Sequence, residues 1–218
     1  MKRTMVAVLA GLFLVASAET FEVRVENVST PETLATMKGR VAVPLSPGVF
    51  VVHRSLNPLF VPAGMASPGL ERLAEDGDPA LLAKALGARA GVFATPLGQA
   101  APAPIFPGQA YVFRVSAEPG DRLSLATMFV QSNDWFYAPG PKGIPLFMDG
   151  KPIAGDVTRY LRLWDAGTEV NEPAGEGMHQ APRQKAKNAG PDEMGVVHEV
   201  TAKGLSGPVI RVTIQPVR

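Results

Sequence analysis

Proline and glycine recur so often along this chain that neither a long helix nor a long strand can continue through most of it. The 218 residues include 22 glycines and 21 prolines. Proline lacks the backbone N–H that helices and sheet ladders require, and glycine favours turns. This frequency argues against an all-helical bundle and predicts a protein of short strands joined by many turns.

Between these breaks, several segments alternate apolar and polar side chains, which is the pattern of a strand with one buried face. The predicted strands lie at 21–26, 49–53, 91–95, 109–116, 122–130, 145–148, 159–164 and 209–214. Glu118-Pro-Gly-Asp121 has the sequence of a type II turn, so we expect the strands on either side of it to pair as a hairpin. Residues 170–195 are polar and predict a long mobile surface loop. The pattern indicates an all-β protein, an antiparallel β-sandwich.

Residues 67–87 form the one stretch with clear helix signals. Ser67, followed by proline, is placed to cap a helix N-terminus. Asp76-Gly77 interrupts this helix, and Asp78 caps a second short helix that begins at Pro79 and is closed by Gly87. We expect this short helical insertion to cover one end of a sheet.

The first residues have the features of an export signal. Lys2 and Arg3 precede an apolar run of about a dozen residues, which is too short to span a bilayer. Ala16-Ser-Ala18 is a small-x-small cleavage site. We predict a signal peptide over residues 1–18 and a single mature domain over 19–218, periplasmic or secreted, with no transmembrane segment after cleavage. The alternative is an uncleaved N-terminal anchor.

Composition narrows the partners and the sources of stability. The chain has no cysteine and a formal net charge of +1. Exported proteins often use disulfides, so here we expect core burial, helped by a bound metal, to supply the stability. The absence of a basic excess argues against nucleic acid as a partner. We expect a monomer.

Two acidic segments each follow a predicted strand. Residues 131–136 contain Asp134, and residues 164–169 contain Asp165 and Glu169 with a glycine between them. Oxygen ligands that converge from loops at one end of a sandwich can bind a hard cation such as Ca²⁺. The alternative is that both aspartates accept hydrogen bonds from backbone amides in Asx turns.

The remaining residues give little support to catalysis. Trp135 and Trp164 either stack against a ligand or anchor the core. The three histidines have no partner at metal-ligand spacing, and the chain has no Gly-x-Ser-x-Gly motif. We therefore expect a protein that is not an enzyme. Two alternatives stay open: a secreted metal-dependent hydrolase that uses Asp134 and Asp165, and a purely structural envelope protein.

Four segments together resemble the spondin N-terminal domain family, in the family's order and over essentially the whole mature chain. They are Pro44-Leu-Ser-Pro-Gly48 with His53, Ala66-Ser-Pro-Gly-Leu-Glu-Arg-Leu-Ala-Glu-Asp-Gly77, Ser132-Asn-Asp-Trp-Phe136 and Asp165-Ala-Gly-Thr-Glu169. Animal members carry Pro-Asp-Trp and Asp-Ala-Gly-Thr-Asp at the last two segments. The chain resembles a bacterial, stand-alone exported member.

The resemblance implies a β-sandwich related to the C2 fold with a Ca²⁺ site at one end. It implies that Asp134 and Asp165 are metal ligands and that Glu169 replaces an aspartate of the animal motif. A further family acid on the preceding strand aligns nearest to Gln109, which implies a neutral oxygen ligand and weaker affinity. Because animal members act in matrix adhesion, the resemblance implies adhesion to, or recognition of, a cell-envelope or extracellular ligand.

Overall fold

A computed structural model describes residues 18–217, which fold into strands, two short helices and long irregular connections. The predicted signal peptide, apart from Ala18, lies outside the described residues. The strands are β1 Glu19–Asn27, β2 Leu34–Thr36, β3 Gly39–Val41, β4 Leu45–His53, β5 Ala90–Phe93, β6 Ala110–Ala117, β7 Arg122–Phe129, β8 Trp135–Pro139, β9 Ile144–Pro145, β10 Phe147–Met148, β11 Lys151–Pro152, β12 Gly155–Asp156, β13 Leu161–Asp165, β14 His198–Glu199 and β15 Ile210–Val217. The helices are α1 Pro68–Asp76 and α2 Ala80–Leu86, with a 3₁₀ turn at Thr158–Tyr160.

Two antiparallel sheets pack face to face. The smaller has the strand order β12-β15-β1-β6, and the larger has the order β14-β13-β8-β7-β4-β5 with β9 beside β7. Two further pairs, β2-β3 and β10-β11, lie at the margins. The predicted antiparallel β-sandwich with a short helical insertion is confirmed.

Strand β1 shows how the alternating sequence sets the orientation of the smaller sheet. Phe21, Val23 and Val25 are fully buried, while the charged residues between them are partly exposed. The strand pairs with β15 on one side and β6 on the other, so its register is fixed from both edges. Its apolar side chains, with Val212 and Ile214 of β15, belong to the main core.

The larger sheet is buried on both faces. One face contributes to the core between the sheets, and the other packs against the helices. The second core joins Val49 and Phe136 of the sheet to Leu70 and Leu73 of α1 and Leu82 of α2. The helices therefore cover the outer face of this sheet rather than one of its ends. This explains why β7 is buried along almost its whole length.

The helix boundaries follow the local signals. The Ser67 side chain accepts a hydrogen bond from the N–H of Leu70 at 3.2 Å, and Gly77 ends α1 at φ 67°. Asp78 accepts a hydrogen bond from the N–H of Ala80 at 3.2 Å, at the start of α2. These contacts satisfy backbone groups that a helix end leaves without partners. None of the helices within residues 18–217 is long and apolar enough to cross a membrane.

The turn predicted at 118–121 forms, but the hairpin prediction was wrong. The N–H of Asp121 donates to the carbonyl of Glu118 at 2.9 Å, and Gly120 has a φ of 93°. The flanking strands, however, enter different sheets, since β6 pairs with β1 and β7 pairs with β4 and β8. The buried Asp121 carboxylate is paired there with Arg54 and Arg89. A turn sequence fixes local geometry and does not decide which strands pair.

Gly48 lies where β4 passes closely between two neighbours, at a register shift in its pairing with β7. A Cβ atom at this position would lie 2.3 Å from the carbonyl oxygen of Ala126 and 2.3 Å from the ring of Phe93. Gly140 provides the contrast, because a Cβ there would have no heavy atom within 4 Å.

We predict that Gly48→Ala lowers the free energy of unfolding by about 1–3 kcal/mol, because the added methyl group overpacks the sheet. Gly140→Ala should stay within about 0.5 kcal/mol of the parent protein. Urea denaturation of the two variants side by side measures the difference. Equal stabilities would show that the close approach at Gly48 carries no strain.

Candidate functional site

Asp134 and Asp165 meet because of strand pairing. Antiparallel pairing of β8 with β13 places Trp135, the first residue of β8, opposite Asp165, the last residue of β13. Asp134 immediately precedes β8, and its carbonyl oxygen accepts a hydrogen bond from the N–H of Ala166 at 3.1 Å. The two acidic segments that the sequence singled out are therefore neighbours at one end of the larger sheet.

One oxygen of the Asp134 carboxylate is fully engaged, and the other has no partner. Oδ2 accepts from the N–H of Thr168 at 2.8 Å, from its hydroxyl at 3.2 Å and from the N–H of Glu169 at 3.2 Å. The side chain is 0% exposed, and Oδ1 has no hydrogen-bond donor. A buried carboxylate oxygen without a partner is costly, so this atom marks a place where a cation or a proton would stabilise the fold.

Asp165 is held in place by three donors. Oδ1 accepts from the N–H of Gly167 at 2.7 Å, and Oδ2 accepts from the indole N–H of Trp135 at 2.8 Å and the amide of Asn171 at 2.6 Å. The Asx-turn alternative is therefore confirmed for Asp165. Asp134, by contrast, receives its donors from the other loop, so it makes no such local turn.

Glu169 joins the same cluster with both oxygens engaged. Its Oε2 accepts from the Asn133 amide at 2.9 Å, and its Oε1 accepts from the N–H of Gly190 at 2.6 Å. The second contact ties it to the irregular segment 170–197. That segment is not a purely solvated loop, because its Gln180 is completely buried.

Gln109 lies elsewhere. It precedes β6 in the smaller sheet, and its Oε1 accepts a hydrogen bond from the N–H of Phe106 at 2.8 Å. No hydrogen bond within residues 18–217 connects its side chain to Asp134, Asp165 or Glu169. The structure thus brings three of the four predicted ligands together and leaves the oxygen of the fourth engaged within its own loop.

A further acid, Glu75, belongs to the cluster and was missed. It lies in the last turn of α1, is 2% exposed, and has an Oε2 atom without a hydrogen-bond partner. After burial, the charges of Glu169 and Asp134 also help to raise the pKa of its carboxyl group. It lies in the acidic run 74–78 of the sequence, which could bind a cation but which helix capping explains more simply.

Crowding of these acids away from water changes their ionisation. Burial, reinforced by the charge of Asp165, raises the pKa of Asp134 to about 7. Burial is also the main reason why the pKa of Glu75 is raised to about 7, and it raises the pKa of Glu169. The cluster therefore favours an added positive charge, whether a cation or protons.

The donor set suits a hard cation, although the acids alone do not enclose one. Within residues 18–217, no group of three or more His, Asp or Glu side chains has the spacing of a metal site. The free Oδ1 of Asp134 is the chemically suitable first ligand, and backbone carbonyls, water or a rotated neighbouring side chain would complete the shell. Carboxylate and carbonyl oxygens are the ligands that Ca²⁺ takes.

A groove of about 1000 Å³ opens beside the acids. Its walls include Trp135, Asp165, Asn171, Glu172 and the exposed Met37. The two tryptophans therefore have different environments. Trp135 lines the groove, whereas Trp164 is buried against Phe60 and donates its indole N–H to the carbonyl of Ala138.

Comparison of the chain with protein-family models gives no match, and comparison with curated proteins gives none either. The resemblance to the spondin N-terminal domain family therefore depends on the quoted segments alone.

The raised pKa values predict an unusual pH dependence for the cation-free protein. Unfolded aspartate and glutamate titrate near pH 4, whereas Asp134 and Glu75 have a pKa of about 7 in the fold. Between about pH 4 and about pH 7 the folded state binds more protons, so these groups stabilise the fold increasingly as the pH falls. As the pH falls from 8 to 5, the melting temperature of the parent protein should therefore rise relative to that of Asp134→Asn.

Melting curves in chelator at several pH values measure this difference. Glu193→Gln, at an exposed position, is the control and should follow the parent protein at every pH. Parallel curves for the parent protein and Asp134→Asn would contradict the prediction.

Proposed function

We propose that this protein is an exported, Ca²⁺-binding β-sandwich that recognises a cell-envelope or extracellular ligand and is not an enzyme. The observation that carries the proposal is the Asp134 carboxylate, which is completely buried beside Asp165 and leaves Oδ1 without a donor. Export rests on the sequence of residues 1–18. The spondin-like segments support both the cation and the recognition role.

A bound Ca²⁺ would supply positive charge where three acids lie together. Asp134 precedes β8, and Asp165 and Glu169 flank the turn that follows β13. The ion would therefore link two loops that are distant in sequence. Because the folded chain gathers these oxygens and the unfolded chain does not, Ca²⁺ would favour the folded state.

Burial of the acids argues against the hydrolase alternative. A catalytic metal needs an open coordination position that a substrate can reach. Asp134 is 0% exposed and Glu75 is 2% exposed, so their free oxygens face the interior. This arrangement favours an ion that holds loops together. The purely structural alternative shares that ion and differs from our proposal only in lacking a ligand.

The groove supports the recognition part of the proposal. It lies on the solvent side of Trp135, whose indole N–H donates to Asp165. It combines exposed apolar side chains with carboxylate and amide groups, which is a common composition of ligand sites. We place the ligand there, beside the ion rather than on it.

Ca²⁺ should raise the melting temperature of the purified protein. At about 100 times the dissociation constant the stabilisation is about 2.7 kcal/mol, which corresponds to about 5–11 °C for a chain of this length. Mg²⁺ should stabilise less, because it requires a stricter geometry. Differential scanning calorimetry with each ion, after treatment with chelator, measures both effects.

Asp134→Asn is the decisive variant for the cation. Its amide oxygen can keep the three hydrogen bonds that Oδ2 accepts, while its NH₂ group replaces the free oxygen. We expect it to fold and to show no shift with Ca²⁺, whereas Glu193→Gln shifts as the parent protein does. Tb³⁺, a substitute for Ca²⁺ that emits when a nearby indole is excited, should respond through Trp135. Equal Ca²⁺ shifts in Asp134→Asn and the parent protein would refute the site.

Two exposed methionines allow a matched test of the groove. Met37 is 89% exposed and lines it, while Met194 is 85% exposed and does not. We expect Met37→Asp to weaken co-sedimentation with isolated cell envelopes by about tenfold or more, because it removes an apolar contact of about 1.5–3 kcal/mol. Met194→Asp should bind as the parent protein does. Equal loss in both variants would exclude the groove as the ligand site.

A further inference from the structure

Glu75 occupies an environment that ordinary helix chemistry does not explain. Long acidic side chains on a surface helix normally reach water, and glutamate is almost never fully buried unless it is paired. Glu75 is 2% exposed and has no salt-bridge partner among residues 18–217, and its Oε2 accepts no hydrogen bond. Its neighbour Asp76 differs in having a charged partner. Oδ2 of Asp76 accepts no hydrogen bond, but it lies 3.1 Å from the guanidinium group of Arg72 and forms an ion pair with it.

Glu75 lies within electrostatic reach of the cluster of acids, because the charges of Glu169 and Asp134 act on its carboxylate. The nearby Thr168 hydroxyl is bonded to Oδ2 of Asp134 at 3.2 Å. A threonine hydroxyl has a single proton to donate, so that proton is not available to Glu75. Oε2 of Glu75 and Oδ1 of Asp134 are thus two buried carboxylate oxygens that accept no hydrogen bond.

Hydrogen bonds that do not involve Glu75 connect the end of α1 to the irregular segment 170–197, which also contacts the acids. Asp76, the residue after Glu75, accepts hydrogen bonds from Gln184 at 3.1 Å and from the N–H of Asn188 at 3.2 Å. The same irregular segment donates the N–H of Gly190 to Glu169. The last turn of α1 is thus held against the cluster by contacts that do not involve Glu75, and the buried carboxylate is not needed to place the helix.

We propose that Glu75 is a ligand of the cation at Asp134, so that the helical insertion takes part in the metal site. This inference rests on the proposed Ca²⁺ binding and adds a donor that is not among the four ligands predicted from the sequence. The helix fixes the Glu75 backbone and leaves its flexible side chain free to turn its carboxylate toward the ion. A fourth carboxylate beside Asp134, Asp165 and Glu169 would raise the affinity, since ligand charge tunes Ca²⁺ binding.

Glu71 provides a matched control for Glu75, because it lies one turn earlier in α1 and is only partly buried. Glu75→Gln keeps the size of the side chain and removes its charge, and Glu71→Gln removes a charge from the same helix. Glu75→Asp keeps the charge and shortens the reach, which provides a second variant if the first folds poorly. Ca²⁺ titration calorimetry and melting curves, with and without the ion, are run on all three.

We expect Glu75→Gln to bind Ca²⁺ at least about tenfold more weakly than the parent protein, which corresponds to about 1.4 kcal/mol. Glu75→Asp should also bind more weakly, and Glu71→Gln should bind as the parent protein does. In chelator, Glu75→Gln should melt at or above the temperature of the parent protein, because it removes a buried charge that lacks a partner. A purely structural glutamate would instead lower the melting temperature equally with and without Ca²⁺.

The outcomes distinguish this inference from the proposed function. If Glu75→Gln binds Ca²⁺ as tightly as the parent protein while Asp134→Asn does not bind, Glu75 is not a ligand and the Asp134 site stands. If the parent protein itself binds no Ca²⁺, both proposals fall.

Discussion

The end of the sandwich that carries the acids depends on one carboxylate oxygen. Oδ2 of Asp134 accepts three hydrogen bonds from Thr168 and Glu169, which lie in the turn after β13. The carbonyl of the same aspartate binds the N–H of Ala166. These contacts fix the turn against the start of β8. The position of the turn also allows Glu169 to accept hydrogen bonds from Asn133 and Gly190.

This arrangement has an electrostatic cost that the fold does not offset internally. Asp134, Glu75 and Glu169 are each raised in pKa, mainly because burial disfavours their charged forms. A neutral side chain at Glu75 would avoid this cost without disturbing the packing of α1. Buried acids with strongly raised pKa values, which a more stable local sequence would avoid, are typical of functional sites. Together with Oδ1 of Asp134, which is buried and accepts no hydrogen bond, this cost supports the proposal of a positively charged ligand.

Local features of the fold were predictable from sequence, and long-range ones were not. The alternation in β1 and the caps of α1 depend on neighbouring residues, and both were predicted correctly. The partners of β6 and β7 depend on the whole sheet, so the turn at 118–121 suggested a hairpin that does not form. In the site, Asp134 and Asp165 were found because each follows a predicted strand, and they meet because β8, which begins directly after Asp134, pairs with β13. Glu75 comes from a helix far along the chain, and only tertiary packing brings it there.

Asp165 links the interior cluster to the groove. Its Oδ1 holds the turn through Gly167, and its Oδ2 holds the indole of Trp135, which lines the groove. A cation beside Asp134 would reduce the repulsion between the two aspartates and so fix Asp165 more firmly. The orientation of the Trp135 ring would then depend on the ion through a single shared carboxylate. An ion that never contacts the ligand could in this way still shape the surface that binds it.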